Sequence, residues 1–286
     1  MATSTFAAAP SNASDALFRA WGSALSTAIQ AVGLTKVTCD TQVNWATVTV
    51  PSAGTYAYEV YCFSDSHQAT HPIYIKVGYG TSAGGSAVCS MRISVGRGVD
   101  TSDGTLTTPA STAMIGNALS SGNSATTYDC YVSGSTDRLN VIMFTGHAHR
   151  MAFFIERTKN DNGATTDDAA DICMFGSSTN LKHQQLPKSG NAYPATPGTP
   201  MCAVPTAGAG SWGDNVGLFP IFPNMGYAAN PTMGGCIYFT ADIASGGTSI
   251  ELTFYGVSHT FICAGVDNAT AINGNSGVKS IAVRYE

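Results

Sequence analysis

The chain has 286 residues and a formal net charge of −5, a length that suits one large all-β domain or two smaller domains. Hydrophobic residues make up 44%, which is enough for a buried core and excludes an intrinsically disordered chain. Charged residues make up only 11%, against about 25% in an average soluble domain, and the basic ones form no cluster. Composition therefore argues against a nucleic-acid-binding protein and predicts that other subunits cover much of the surface.

The first strong pattern in chain order is a helix over residues 14–33. Ser14 or Asp15 can cap its start, and Gly33 stands where a left-handed residue ends a helix. Apolar residues recur at three- and four-residue steps, namely Leu17, Ala20, Trp21, Ala24, Leu25, Ala28, Ile29 and Val32. The segment is too mixed to span a bilayer, and residues 1–13, an expected N-terminal arm, lack the pattern of a signal peptide. We expect synthesis in a cytoplasm and no membrane insertion.

Short β-branched and aromatic runs follow the helix, separated by Gly, Asp, Asn and Pro. They predict strands at residues 43–50, 56–63, 73–79, 87–95, 127–132, 139–144, 147–156 and 171–175. Several of these runs alternate cleanly, as where Ile73, Ile75, Val77 and Tyr79 share one face. Half-buried antiparallel strands of this kind build a β-sandwich.

The amino-acid composition changes at residues 182–235, which hold eight of the twelve prolines. A long irregular stretch is unusual in a compact domain, and it predicts a functional loop or one that wraps a neighbouring subunit. Strands near 236–241, 249–255, 260–263 and 278–285 then complete the fold. The predicted organisation is an arm (1–13), a helix with the main sandwich (14–181), a Pro-rich loop region (182–235) and closing strands (236–286). The fold class is mainly β, a jelly-roll-like antiparallel sandwich with one N-terminal helix.

The eight cysteines are widely spaced and include no C-x-x-C pair. A disulfide scaffold is usually short and dense in cysteine, and a structural zinc site usually needs close ligand pairs. The pattern therefore predicts buried thiols that pack as small hydrophobic side chains.

Residues 80–84 match the G-x-S-x-G pattern of serine hydrolases, with Ser82 as the candidate nucleophile. That chemistry needs a strand–turn–helix elbow, whereas the residues after Ser82 lead into another strand. A glycine-rich hairpin loop is the favoured interpretation. Paired carboxylates, a phosphate-binding loop and a cofactor fingerprint do not occur in the sequence. The sequence therefore predicts no catalytic residue, no cofactor and no enzyme activity.

His147 and His149 lie on one face of a predicted strand, about 6.6–6.8 Å apart along it. A metal would fit if a third ligand joined them, but Glu156 falls on the opposite face. Structural histidines are the favoured interpretation, and a metal shared across a subunit axis is the alternative.

Aromatic residues outside the alternating strands could stack on sugars, but the favoured interpretation is that they anchor their segment on the sandwich or on a neighbouring subunit. In the Pro-rich region they are Tyr193, Trp212, Phe219, Phe222 and Tyr227. In the helix, Phe18 and Trp21 would dock either on the sandwich or on a symmetry-related copy.

Residues 15–165 resemble a family of virion structural proteins of tailed bacterial viruses. The resemblance lies in the helix 17–34, in 39–48 with Val43-Asn44-Trp45-Ala46-Thr47-Val48, in 58–65, 72–80 and 93–100, and in 153–163. It implies a β-rich subunit of the tail or tail fibre and transfers no functional residues. The high cysteine count and the Pro-rich region depart from it.

The sequence thus favours a phage virion structural protein of the tail end (baseplate, tail tip or fibre attachment). Its expected partners are further copies of itself in a trimer or hexamer, other virion proteins and a host-surface glycan or protein receptor, with no nucleic acid. A capsid decoration protein is the first alternative. A glycan-binding or glycan-degrading tail protein, with an esterase that uses Ser82 as one form, is the second.

Overall fold

The structure is a computed structural model, and it describes residues 2–8, 14–81, 89–107, 114–116, 128–145, 148–157, 172–177, 182–186, 218–221, 233–239, 249–254, 256–263 and 280–285. Within these residues the chain forms one α-helix and eighteen β-strands. The elements in chain order are β1 (Ala2–Ala8), α1 (Asp15–Ala31), β2 (Thr35–Val37), β3 (Tyr56–Cys62), β4 (Tyr74–Gly80), β5 (Ser90–Gly96), β6 (Gly98–Asp100), β7 (Thr105–Thr107), β8 (Met114–Gly116), β9 (Tyr128–Ser135), β10 (Arg138–Thr145), β11 (Ala148–Arg157), β12 (Ile172–Ser177), β13 (Lys182–Leu186), β14 (Leu218–Ile221), β15 (Met233–Phe239), β16 (Ser249–Phe254), β17 (Val257–Cys263) and β18 (Ser280–Arg284). The prediction of a mainly β fold with one N-terminal helix is confirmed.

The named strands pair antiparallel in three larger sheets and one hairpin. The central sheet has the order β1-β9-β10-β11-β12-β13, and the front sheet has the order β2-β3-β4-β5-β8. The C-terminal sheet has the order β14-β15-β18-β17-β16, while β6 and β7 form the side hairpin. Most neighbours are consecutive in the chain, as in a β-meander, and this order refines the jelly-roll-like sandwich expected from the sequence. β1 is an edge strand of the central sheet, so part of the expected N-terminal arm is sheet.

The helix α1 forms where its periodicity predicts. The Ser14 hydroxyl accepts a hydrogen bond from the Leu17 amide at 3.4 Å, and Gly33 takes a left-handed φ of 116° just beyond the helix. Its buried face includes Phe18 and Leu25, whereas Leu17 is 48% exposed. The helix therefore packs one apolar face and leaves the other to solvent.

One core joins α1, the front sheet and the central sheet. The predicted inward face of β4 is confirmed, because its members and the preceding Ile73 are all fully buried. They share the core with Val141 of β10 and Phe153 of β11. Consecutive side chains of a strand point to opposite faces, so this packing leaves the even-numbered residues of β4 on the outer face of the front sheet.

The second face of the central sheet is also covered. The Ser133 hydroxyl of β9 donates to the Arg284 carbonyl of β18 at 2.8 Å, and the rings of Tyr131 and Tyr285 lie edge to face at 5.6 Å. Asn140 of β10 is buried on this side and donates to Ser133 at 3.2 Å. The central sheet thus has packed residues on both faces, which is the layered arrangement of a sandwich.

The predicted strand at 43–50 is wrong. The Asn44 side chain accepts from the Ala46 amide at 3.0 Å, and the Asn44 carbonyl accepts from the Thr47 and Val48 amides at 3.1 and 2.9 Å. An Asn that bonds its own backbone in this way favours a turn over a strand. The Arg19 guanidinium of α1 then donates to the Val48 carbonyl at 3.0 Å and fixes this loop on the helix.

The predicted Pro-rich loop region contains regular structure at its start and in its second half. β13 extends the central sheet, and β14 forms an edge of the C-terminal sheet. Pro220 lies in β14 beside a register shift, which is where a strand tolerates proline, because an edge position and an irregular ladder both spare the missing amide. The high proline content therefore predicted a loop where the chain forms two short strands, β13 and β14.

Candidate functional site

The predicted chemical motifs lie mostly outside the described residues. This holds for Ser82 and His147, and for His149 the structure describes only the backbone, which pairs with Phe144 beside a register shift. β4 and β5 on either side of Ser82 pair antiparallel with Gly80 opposite Ser90, as in the predicted hairpin.

The aromatic candidates divide between the core and the Pro-rich region. Phe18 and Trp21 are 0% and 3% exposed and belong to the chain's own core, so the helix docks on the sandwich and the interface interpretation of these two residues is corrected. Phe219 lies in β14, where its backbone pairs with Tyr238. The remaining four lie outside the described residues, namely Tyr193, Trp212, Phe222 and Tyr227.

A groove of about 420 Å³ runs over the outer face of the front sheet. We call it the tyrosine groove, and its lining includes Tyr56, Tyr58, Lys76, Gly78, Arg92 and Thr105. Gly78 in the middle strand lies between Tyr58 of β3 and Arg92 of β5 in directly opposed register. Tyr58, Gly78 and Arg92 thus form one row across the three strands. Since Gly78 has no side chain, this row has a gap at its centre, and the gap forms the floor of the groove.

Both tyrosines are held by close packing. A Cβ at Gly80 would lie 2.9 Å from Cδ1 of Tyr56, so the Tyr56 ring lies across this glycine. The hydroxyls of Tyr58 and Thr41 are 2.6 Å apart, and Gly104, at the turn of the side hairpin, lies against the Tyr58 ring. Gly104 has a left-handed φ of 66°, and its missing side chain allows this close approach.

Two cations line the groove. The Lys76 ammonium lies 4.0 Å above the centroid of the Tyr58 ring and 3.5 Å from the Asp103 carbonyl, to which it donates. Burial lowers the pKa of Lys76; the Asp103 charge opposes this effect, and Arg92 adds to it. Burial also raises the pKa of Tyr56, and Arg92 opposes that shift. The groove is therefore a half-buried site with two positive groups close enough to influence each other.

The inner face of the same strands carries a buried polar network around Glu59, which is 0% exposed. Five donors converge on its two carboxylate oxygens: the hydroxyls of Ser26 (3.0 Å), Tyr61 (2.6 Å) and Tyr79 (2.9 Å), the indole N–H of Trp45 (3.0 Å) and the ammonium of Lys36. Burial and then the Glu59 charge raise the pKa of Tyr61 well above its ordinary value. The phenol therefore remains a donor, and the network joins α1, the 43–50 loop and the front sheet.

A buried arginine connects the two main sheets. Arg157 at the end of β11 is fully buried, its Nε lies 2.8 Å from Oδ2 of Asp65, and its Nη2 donates to the His71 carbonyl at 2.9 Å. These contacts hold the loop between β3 and β4 against the central sheet. Like the Glu59 network, this site is built from the chain's own groups.

The described residues limit the chemistry of the molecule in three ways. They include no cluster of three His, Cys, Asp or Glu side chains that could hold a metal ion. In the same ranges, no helix has the length and apolar character needed to cross a bilayer. Cysteines 39, 62, 89, 130 and 263 have free thiols, and all except the half-buried Cys62 are buried, as predicted from their spacing. Burial raises the pKa of Cys89 to about 12, so this thiol is a weak nucleophile at neutral pH.

The tyrosine groove is a site that the sequence analysis missed. The signal was present as the second face of β4, where Lys76, Gly78 and Gly80 alternate with the core residues. The chain matches no protein-family model, and a search of curated proteins gives no similar sequence.

Proposed function

We propose that the chain is a virion structural protein of a tailed phage, located at the tail end (baseplate, tail tip or fibre attachment). It acts there by assembly with further copies and other virion proteins and by contact with the host surface. The low charge content supports this proposal, since subunit contacts replace much of the charged surface that an isolated protein needs.

One observation carries the proposal. The residues that resemble tail-associated proteins, about 15–165, coincide with α1, the front sheet and β9–β11, which share one core. The resemblance thus spans a packed structural unit, and residues that carry it, such as Trp21, Ile75 and Phe153, belong to the shared core, as expected of a scaffold. A binding protein on a rigid β-framework also gains strength from many copies on one particle.

Immunogold labelling of particles from the source lysate, with an antibody to this chain, tests the proposal. Label at the tail end is the expected result. Label over the head, with hundreds of copies per particle, would overturn the tail assignment in favour of capsid decoration. Particles without label would overturn both.

A second candidate function, glycan binding at the tail, is favoured by the tyrosine groove. The groove combines an aromatic ring, hydroxyl groups and cations on an exposed sheet face, which are the groups that recognise sugars and acidic groups. Binding of the purified full chain to host cells, measured by fluorescence, tests this function. Binding that purified host-surface polysaccharide fails to compete away would count against it.

A further inference from the structure

We propose that the tyrosine groove binds a saccharide that carries an anionic group, with Lys76 and Arg92 holding the anion and Tyr56 packing against the sugar ring. This inference deepens the host contact proposed above and rests on that proposal only for the biological source of the ligand.

The charges of the groove indicate an anion. Arg92 is exposed and Lys76 is half-buried, and the ion pairs formed among the described residues, Lys36–Glu59, Arg138–Glu156 and Arg157–Asp65, include neither of them. The acidic neighbour of Lys76 is Asp103, whose carboxylate accepts from the Thr105 amide at 2.8 Å. Two neighbouring cations disfavour each other, and an anion between them replaces this repulsion with two attractions.

The strand register places the two basic residues next to each other on the outer face of the front sheet. Arg92 lies directly opposite Gly78, and Lys76 lies one row further along β4, opposite Ser94. The aromatic ring of Tyr58 under the ammonium restricts where that charge can lie. The gap above Gly78 therefore lies beside Arg92 and close to Lys76, so an anion there can reach both charges.

The remaining lining indicates a sugar. Tyr56 lines the groove and lies against Gly80, with its Cδ1 2.9 Å from the place that a Cβ of Gly80 would take. Its aromatic ring is the group in the lining that can pack against an apolar, ring-shaped ligand. Ser94 and Thr105 supply hydroxyls that both donate and accept, matching the hydroxyls of a saccharide. A volume of about 420 Å³ lies within the range of about 300–1,000 Å³ for ligand sites.

The test uses the purified full chain and a panel of oligosaccharides at millimolar concentration. The panel pairs carboxylated, phosphorylated and sulfated oligosaccharides with neutral counterparts of the same backbone, for example oligogalacturonate with its methyl ester. Calorimetry should show tighter binding of an acidic member than of its neutral partner, weakening as salt rises. If no acidic member binds more tightly than its neutral partner, the inference is wrong.

Three variants localise the binding. Arg92→Gln and Lys76→Met should each weaken binding about tenfold, because each removes one charge-assisted contact. Arg19→Gln is the matched control: it removes the same unit of charge, keeps a donor for the Val48 carbonyl and lies outside the groove lining. Equal losses in Arg92→Gln and Arg19→Gln would overturn the groove as the site.

Tyr56 separates a saccharide from a simple anion. Tyr56→Phe should retain binding and Tyr56→Ala should lose it, because stacking needs the ring and not the hydroxyl. Complete displacement of the saccharide by inorganic phosphate, with Tyr56→Ala binding normally, would reduce the site to an anion site and overturn the saccharide assignment. Tail label without acidic-saccharide binding would overturn this inference alone, whereas groove binding without label on particles would overturn the proposed function alone.

Discussion

Removing the Glu59 carboxylate should destabilise the fold strongly, although Glu59 touches no solvent. In Glu59→Ala, five donors lose their shared acceptor. The Lys36 side chain is 27% exposed, so its ammonium can turn to water, and the loss of the ion pair with Glu59 costs little free energy. The Trp45 indole N–H loses its acceptor at 3.0 Å and cannot turn away as easily.

The buried hydroxyls of Tyr61 and Tyr79 reduce the free-energy cost of this substitution. The Tyr61 hydroxyl lies 3.0 Å from the Ser26 hydroxyl, and the Tyr79 hydroxyl lies 3.3 Å from that of Tyr61. Without Glu59 these hydroxyls can donate to one another, but such bonds are neutral and the Tyr61–Tyr79 distance is long. A buried donor that loses its acceptor costs about 1–3 kcal/mol, and here the Trp45 indole loses its acceptor while three hydroxyls lose a charge-assisted bond. We therefore expect Glu59→Ala to cost about 3–5 kcal/mol.

Glu59→Gln removes the charge of the side chain but keeps its size and shape, so it measures the contribution of the charge alone. The amide oxygen can keep one group of donors, and the amide nitrogen can donate to the tyrosine hydroxyls, which accept as well as donate. What is lost is the charge assistance, about 1–2 kcal/mol. The order of stability should therefore be wild type, then Glu59→Gln, then Glu59→Ala.

Thermal unfolding followed by circular dichroism measures these differences. At about 2–4 °C per kcal/mol for a chain of this size, Glu59→Ala should lower Tm by about 6–20 °C. Glu251→Ala is the control: Glu251 is an exposed carboxylate on β16 that accepts from Ser258, and its loss should shift Tm by less than about 2 °C. A Tm for Glu59→Ala as close to wild type as that of the control would refute the reasoning.

Two further predictions concern packing and pH. Gly22→Ala should lower Tm, although alanine normally favours a helix, because the new Cβ would lie 1.9 Å from the Trp45 ring. The control is Ser23→Ala at an exposed position of the same helix. A Tm of Gly22→Ala at or above that of Ser23→Ala would contradict this prediction. Burial and then the Arg284 charge lower the pKa of His259 below its ordinary 6.5, so the unfolded chain takes up this proton first as the pH falls. The stability from neutral His259 is therefore fully present above pH 6.5 and declines as the pH falls below it. Between pH ~7.5 and ~5.5 the Tm of the wild type should fall more than the Tm of His259→Gln. Equal falls in the two proteins would exclude a contribution of His259 to the pH dependence of stability.

Local patterns predicted much of the fold. The helix follows from the spacing of residues such as Trp21 and Leu25 and from a cap within the same segment. The buried face of β4 follows from strict alternation. Both signals depend on neighbours a few residues apart, which a sequence displays directly. The error at 43–50 has the same origin, because the β-branched run outweighed one Asn whose side chain bonds the backbone nearby.

Long-range pairing explains what could not be predicted. β1 lies beside β9, with Ala2 opposite Gly134, and no local pattern indicates that partner. The tyrosine groove has the same difficulty, since its floor at Gly78 has meaning only once Tyr58 and Arg92 are known to be in register on either side. A site built across three strands depends on register, and register is set by turns and by the whole buried face.

The two faces of the front sheet perform different tasks with the same strands. On the inner face, Glu59 and Tyr79 fix β3 against β4 through buried hydrogen bonds. On the outer face, the same two strands hold Tyr58 and Lys76 at the groove. Because side chains alternate, every bond that fixes the inner row also fixes the spacing of the outer row. The spacing of Tyr58 and Lys76 is therefore set before any ligand arrives, which reduces the free energy that a ligand loses to ordering of the protein.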